Sequence, residues 1–301
     1  MPSTTSLGSR NGSLIRSVLL IAAGFIVGVS FHSYGIFSVD MGTRIDAMTS
    51  GGAAIIATTT TTTTNYTTTI STSTQSLFDK MHHRLYEMAN APQPVNKSVY
   101  KIGDVRNTGG GLTNADRQLL SSLYYNASSI FEFGLGESTH IAAFIGVSRY
   151  AGVDSDAAWV GKARDGARKD HFRYSFADIG DTAGYGNPRN NRLQKIPLEY
   201  QSEPLNAELE PFDVYLVDGR YRVSCACASF LHAMSRGGDM AKVTVVIHDW
   251  EREHYHAPLK IANILETSEK SGGKLAALRL KPEATEEEIF ELWEEYMWDQ
   301  R

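Results

Sequence analysis

The sequence predicts an α/β protein in which about 225 C-terminal residues build one open sheet with helices on both faces, behind an apolar N-terminal span and a threonine-rich stalk. Three observations carry this expectation. From residue 128 onward, apolar runs of strand length alternate with helix-periodic segments. Polar residues close those runs, as in "EFGLGE", "GVD", "VDG" and "HDW". Before residue 77 the alternation is missing and the composition itself changes instead.

With 301 residues, 42% of them hydrophobic and 21% charged, the chain has the balance of a globular protein and can bury a sizeable core. A net charge of -5 and a pI near 6.0 argue against sequence-independent nucleic-acid binding, which needs a dense cationic surface to displace counterions from phosphate. No nucleic acid is expected as a partner. Cys225 and Cys227 are two apart on a predicted helix and point to different faces, so they read as small buried residues and write no disulfide framework.

Residues 18–37, "VLLIAAGFIVGVSFHSYGIF", hold no Asp, Glu, Lys or Arg, and about 20 residues at about 1.5 Å each cross a hydrocarbon core of about 30 Å. They are expected to form a transmembrane signal anchor after a cytosolic tail of residues 1–17, with a cleaved signal peptide as the alternative. Arg10 and Arg16 precede the span and Asp40 follows it, the charge order of a single-pass type II membrane protein with a lumenal C-terminal bulk. From 38 to 76 Gly, Ala, Ser and above all Thr dominate. That segment buries too little apolar surface to offset its ordering entropy and should be a disordered stalk, bare or O-glycosylated. Sequons at Asn65, Asn96 and Asn126 are further sites for a glycoprotein.

Residues 77–301 make the folded domain. "SLFDKMHHRLYEMA" and "LTNADRQLLSSLYY" have helical spacing, the second opened by Thr113 with Asp116 in its first turn. Then follow the strand "SIFEFGL" and a helix from about 139, "RYAGVD" and the helix "DAAWVGKAR", "HFRYSFADI", "FDVYLVDG" and the helix "RVSCACASFLHAM", "KVTVVIHDW" and the helix "HAPLKIANILE", and "KLAALRL". This order predicts parallel strands joined by right-handed crossovers. A last helix starts at Thr285, with Glu288 completing a capping box and Ile289, Phe290, Trp293 and Met297 as its apolar stripe. Residues 180–206 are a long irregular insertion between the third and fourth strands, of the kind that serves as a lid or substrate loop.

In an open parallel sheet the ligand lies beyond the carboxyl ends of the strands, nearest the first strand-to-helix turn. Here that turn is E-x-G-x-G, Glu132 to Gly136, and a dinucleotide fingerprint would want glycine where Thr139 stands. Asp154 ends the second strand, as a helix cap or a hydroxyl acceptor, and Asp178 ends the third. Over about residues 112–282 this conjunction resembles the class I S-adenosylmethionine-dependent methyltransferases, with their Rossmann-like sheet. The resemblance implies that Glu132, Gly134 and Gly136 cradle the methionine part of S-adenosylmethionine, Asp154 its ribose and Asp178 its adenine. More narrowly, "FGLGEST" and "VVIHDWEREHYHAPLKI" are similar to stretches of the plant Golgi enzymes that O-methylate glucuronic acid on xylan. That likeness implies a Golgi or other secretory-pathway methyltransferase acting on an acidic glycan or polysaccharide.

Methyl transfer is an in-line displacement, so a hydroxyl acceptor must be aligned and met by a base. Asp218, His248 and Asp249 come from adjacent strand ends, and His248 or Asp218 is the expected base. Arg220 and Arg222 follow directly, and their guanidinium groups suit a uronate or sulfated sugar as substrate. Tyr185, Arg189, Arg192 and Tyr200 of the insertion extend the same surface. A divalent cation at Asp218 and Asp249 is kept as an alternative and no metal ligand is assigned; His254 and His256, two apart, diverge on a helix and do not suit zinc. Two other functions fit the same sheet, a NAD-dependent or sugar-nucleotide enzyme and a non-catalytic glycosylated surface protein.

Overall fold

The computed structural model describes residues 17–22, 25–31, 37–41, 76–91, 96–184, 189 and 198–301, and the chain divides into two compact units, Met1–Ile70 and Ser71–Arg301. In the first unit β1 (Ser17–Ala22), β2 (Phe25–Phe31) and β3 (Phe37–Met41) form an antiparallel meander, with Ser17 opposite Ser30 and Val27 opposite Met41. This corrects the membrane helix expected over 18–37. The described pieces, SVLLIA, FIVGVSF and FSVDM, are of strand length and rich in Val, Ile and Phe, which pair as readily as they coil. Among the described residues no helix is long and apolar enough to cross a membrane. Most of the expected stalk, 42–75, lies outside the described residues.

The second unit begins with α1 (Leu77–Ala89) and α2 (Asn114–Asn126), each opened by a capping box, Ser76 with Asp79 and Thr113 with Asp116. Seven strands follow: β4 (Ser129–Phe133), β5 (Arg149–Asp154), β6 (Phe172–Phe176), β7 (Val214–Val217), β8 (Thr244–Ile247), β9 (Ala262–Thr267) and β10 (Ala276–Leu280). They lie in the order β6-β5-β4-β7-β8-β10-β9. β4 to β8 pair in parallel, whereas β10 runs antiparallel between β8 and β9. The helices are α3 (Glu137–Ile145), α4 (Ala157–Ala167), α5 (Glu203–Asn206), α6 (Arg222–Ser235) and α7 (Glu286–Tyr296).

Every residue of β4, β5, β7 and β8 is buried, because both faces of the sheet are covered. Alternation along each strand sorts the side chains into two cores. Phe131, Phe133, Val153, Tyr215 and Val245 pack toward α6 and α7, and Ile130, Tyr150, Leu216 and Val246 toward α2, α3 and α4. Cys225 and Cys227 are free thiols in the first core, and burial pushes both up. Two expectations need correction. The sheet is mixed, because β10 enters from the opposite direction. The helix expected over 256–266 is instead two short 3₁₀ turns, Glu253–Tyr255 and Ala257–Lys260, and the edge strand β9. Pro258 and the ammonium of Lys281, which donates to the carbonyls of Leu259 and Lys260, end the turns and leave 262–267 to pair with β10.

The chain leaves β4 toward β5 on one side and returns through β7 on the other. At that switch point the helices that follow β4 and β7, α3 and α6, pack on opposite faces of the sheet, and a crevice opens at its carboxyl edge.

Candidate active site

The crevice encloses a cavity of about 390 Å³, bounded by the turn after β4, the ends of β5, β7 and β8, and the Gly109–Gly111 segment ahead of α2. Gly134 has φ +90, and a Cβ there would stand 2.7 Å from the carbonyl carbon and oxygen of Asp218. Two backbones therefore touch at Gly134, and no other residue fits. Gly136 differs. Its φ of 176 is extended backbone that any residue adopts, and a Cβ would meet nothing closer than the Trp159 ring at 3.8 Å. A side chain there would project into the cavity, so the glycine keeps open a cradle against bare backbone.

Glu132 lies beneath this turn and does not line the cavity. Fully buried, its carboxylate accepts hydrogen bonds from Tyr124 (2.8 Å), Tyr150 (2.6 Å), Thr139 (2.7 Å) and Ser138 (3.1 Å). Burial pushes its carboxyl up to about 7 despite those donors. Its work here is to fix the start of α3. Asp154 does line the cavity: Oδ2 accepts from the Leu135 amide and Oδ1 from the Asp156 amide, each at 2.8 Å, and burial pushes it up to about 6. Each oxygen keeps capacity for another donor, as a ribose contact requires. Asp178 is exposed, accepts from the Gly180 amide at 3.0 Å, and does not line the cavity.

On the other side Asp218, Arg222, His248 and Asp249 meet. The His248 ring is 3% exposed, with Nδ1 at 2.7 Å from Asp218 Oδ1 and Nε2 without a hydrogen-bond partner. Burial pulls this imidazole down, but Asp218 and Asp249 outweigh it and the net shift is upward. Arg222, in the first turn of α6, pairs with Asp249 at 3.0 Å and Asp218 at 3.4 Å and donates to the His248 carbonyl. The anion that a cation at a helix start calls for is thus supplied by the protein itself, and Arg222 is committed before any substrate arrives. Tyr221 and Asp249 hold φ of 55 and 57, a strain of roughly 1–3 kcal/mol each that the cluster around them sustains.

Arg220 lines the cavity, and its amide donates to the hydroxyl of Tyr200, a fully buried residue of the insertion. Arg189 is exposed and bonded within the insertion, while Tyr185 and Arg192 lie outside the described residues. The structure thus brings Gly134, Gly136, Asp154, Asp218, Arg220, Arg222, His248 and Asp249 to one cavity and leaves Glu132 below it and Asp178 outside. Sequence reasoning missed Gly109–Gly111, Trp159, Arg252 and Lys274, which also line it. Only the glycine run, which ends two residues before the Thr113 cap, carried a visible signal. Among the described residues no group of three or more His, Cys, Asp or Glu side chains is arranged to hold a metal.

No family model and no curated protein matches the chain. Among solved structures, the N-methyltransferase NodS from Bradyrhizobium japonicum aligns over 55% of this chain and 93% of its own, at 15% identity and a TM-score of 0.31, too distant to support an argument. A methyltransferase-like protein from Silicibacter pomeroyi aligns over 63% of this chain and 96% of its own, at 24% identity and a TM-score of 0.52. That likeness and the strand order give the second unit its fold, a mixed seven-stranded α/β sheet of the Rossmann-like methyltransferase type.

Proposed function

We propose that the chain is an S-adenosylmethionine-dependent O-methyltransferase whose acceptor is a hydroxyl on an acidic glycan or polysaccharide. The observation that supports this most is the buried, unpartnered Nε2 of His248, a residue that lines the same cavity as the bare backbone at Gly136. S-adenosylmethionine supplies an electrophilic methyl group on a sulfonium. Gly136 leaves room for its amino-acid end, the Asp154 carboxylate can accept from ribose hydroxyls, and Trp159 offers an apolar ring beside them. Asp218 holds the His248 ring by Nδ1, which leaves Nε2 as the atom that takes the acceptor's proton. A hydroxyl needs such a base because its own pKa is far above neutral.

Arg220, Arg252 and Lys274 in the wall of the cavity support an acidic acceptor, as cations that a carboxylate or sulfate on the sugar would meet, although Arg252 and Lys274 also reach Asp249. The described residues of 18–37, on which a secretory-pathway membrane location rested, are strands here, so this reading takes no compartment from them.

Calorimetric titration of the whole protein with S-adenosylhomocysteine, and separately with NAD, tests the cofactor. Heat with the first alone is expected; a folded sample silent to it, or responding only to NAD, would refute the reading. Transfer of labelled methyl to acidic but not neutral polysaccharides is the expected outcome for the acceptor, and a preference for neutral ones would overturn that part.

A further inference from the structure

Three helices of the second unit open with the same device, a Ser or Thr cap bonded to an acid three residues on. In α1 and α7 those acids, Asp79 and Glu288, are exposed and bond to their own caps. In α2 the acid is Asp116, fully buried. Besides the Thr113 amide and hydroxyl, it accepts from the Ser268 hydroxyl at 2.6 Å and the Lys274 amide at 2.7 Å, in the turn between β9 and β10. Capping alone does not call for a carboxylate with no exposure, since the other two caps work in water.

What Asp116 faces is His248. Its Oδ2 stands 3.9 Å from Nε2, beyond hydrogen-bond length but well within electrostatic reach. The other charged groups around the ring lie elsewhere: Asp218 at 2.7 Å and Asp249 at 3.5 Å approach Nδ1, Arg222 bridges those two aspartates, and Arg252 and Lys274 reach Asp249. Among the described residues Asp116 has no other ion pair than this one with His248. Its hydrogen bonds outweigh its burial and keep its carboxyl below the usual range, so it is a charge.

We propose that Asp116 is a positioning residue for His248, a second carboxylate that stabilises the imidazolium formed when Nε2 takes up a proton. The ring then sits between two anions, one bonded at Nδ1 and one facing Nε2. In the neutral ring Nε2, with its lone pair, is 3.9 Å from a negative oxygen, and protonation converts that repulsion into attraction. The cap of α2 and the turn before β10 thereby raise the basicity of a group carried on β8. The inference rests on the proposed base role of His248, but its test requires no methyl transfer.

The test is an NMR titration of the His248 ring in the whole protein without cofactor, its signal assigned by its loss in His248→Gln. Asp116→Asn is expected to lower the midpoint by about one pH unit. Ser268→Ala removes one hydroxyl donor from the carboxylate but leaves the charge less neutralised, so it should raise the midpoint by a smaller amount. A cap with a merely structural role would shift both variants the same way or neither. An unchanged midpoint in folded Asp116→Asn would overturn the assignment. If that variant does not fold, Ser268→Ala decides alone, and an unchanged or lowered midpoint there would overturn it. Failure of S-adenosylhomocysteine to bind would sink the proposed function and leave this titration readable.

Discussion

Asp154 and Asp249 are almost equally buried, at 9% and 8% exposure, yet their carboxyls move in opposite directions. On its side of the crevice Asp154, like Glu132 beneath it, has hydroxyl and amide donors and no ion pair among the described residues, so burial prevails and pushes them up to about 6 and about 7. Across the cavity burial also pushes Asp249 up, but Arg222, His248, Arg252 and Lys274 outweigh it and hold the carboxyl below its usual range. At nearly equal exposure, it is the cationic neighbours present around Asp249 and missing around Asp154 that distinguish the two. One half of the crevice is electrostatically incomplete and improves when a ligand brings donors; the other is a finished network that can work on a substrate without rearranging.

The comparison breaks hardest at the two glycines. Gly134→Ala places a Cβ against backbone at positive φ and should cost about 3 kcal/mol or more, or prevent folding. Gly136→Val should keep its melting temperature and lose S-adenosylhomocysteine affinity by about a hundredfold, since only the ligand meets the new side chain. Equal thermal losses would mean the second glycine is structural too. On the finished side, His248→Gln should lower turnover by about 10²–10⁴ with cofactor affinity unchanged. Because only the neutral imidazole accepts a proton and its pKa is raised, the wild-type rate should climb with pH above the ordinary histidine value of about 6.5. A rate already flat from pH 5.5 upward would remove His248 as the base.

The smallest effect sharpens the incomplete side. Glu132 in the folded state keeps a proton that the unfolded chain has released above about 4.3, so folded protein binds more protons and stability falls as pH rises from there toward about 7. Glu132→Gln should flatten that decline and gain about 1–3 kcal/mol on wild type between pH 5 and pH 8 in denaturant melts. Asp249→Asn should show the reverse, its lost stabilisation being largest at neutral pH and vanishing on acidification. Parallel pH curves for the two variants would erase the contrast between the halves.

How much of this was legible depended on the range of each interaction. Strand runs, capping boxes at Thr113 and Thr285 and the E-x-G-x-G turn are local, and the structure realises them within a residue or two. The crevice itself followed from polar strand ends, and most of the expected site residues meet there. What stayed hidden was set by partners far along the chain. Residues 262–267 have no strand-like alternation of their own and become β9 only because β10 lies beside them. Arg222 looked available because the sequence does not reveal that Asp249 will reach it from the next strand. Glu132 looked like a ligand because a strand-end acid reads alike whether it points up into a cavity or down onto four helix and strand hydroxyls.

The same dependence on distance orders events during synthesis. Asp116 emerges from the ribosome early, but Ser268 and Lys274, which complete its hydrogen bonds, follow 152 and 158 residues later. Until then that corner of the nascent chain keeps a carboxylate in water that the finished protein removes from it. The central strands can pair without the last two, but the pocket wall cannot close. A polypeptide stopped before residue 268 should therefore be a scaffold with an open flank, and competence arrives only when the antiparallel strand slots in beside β8.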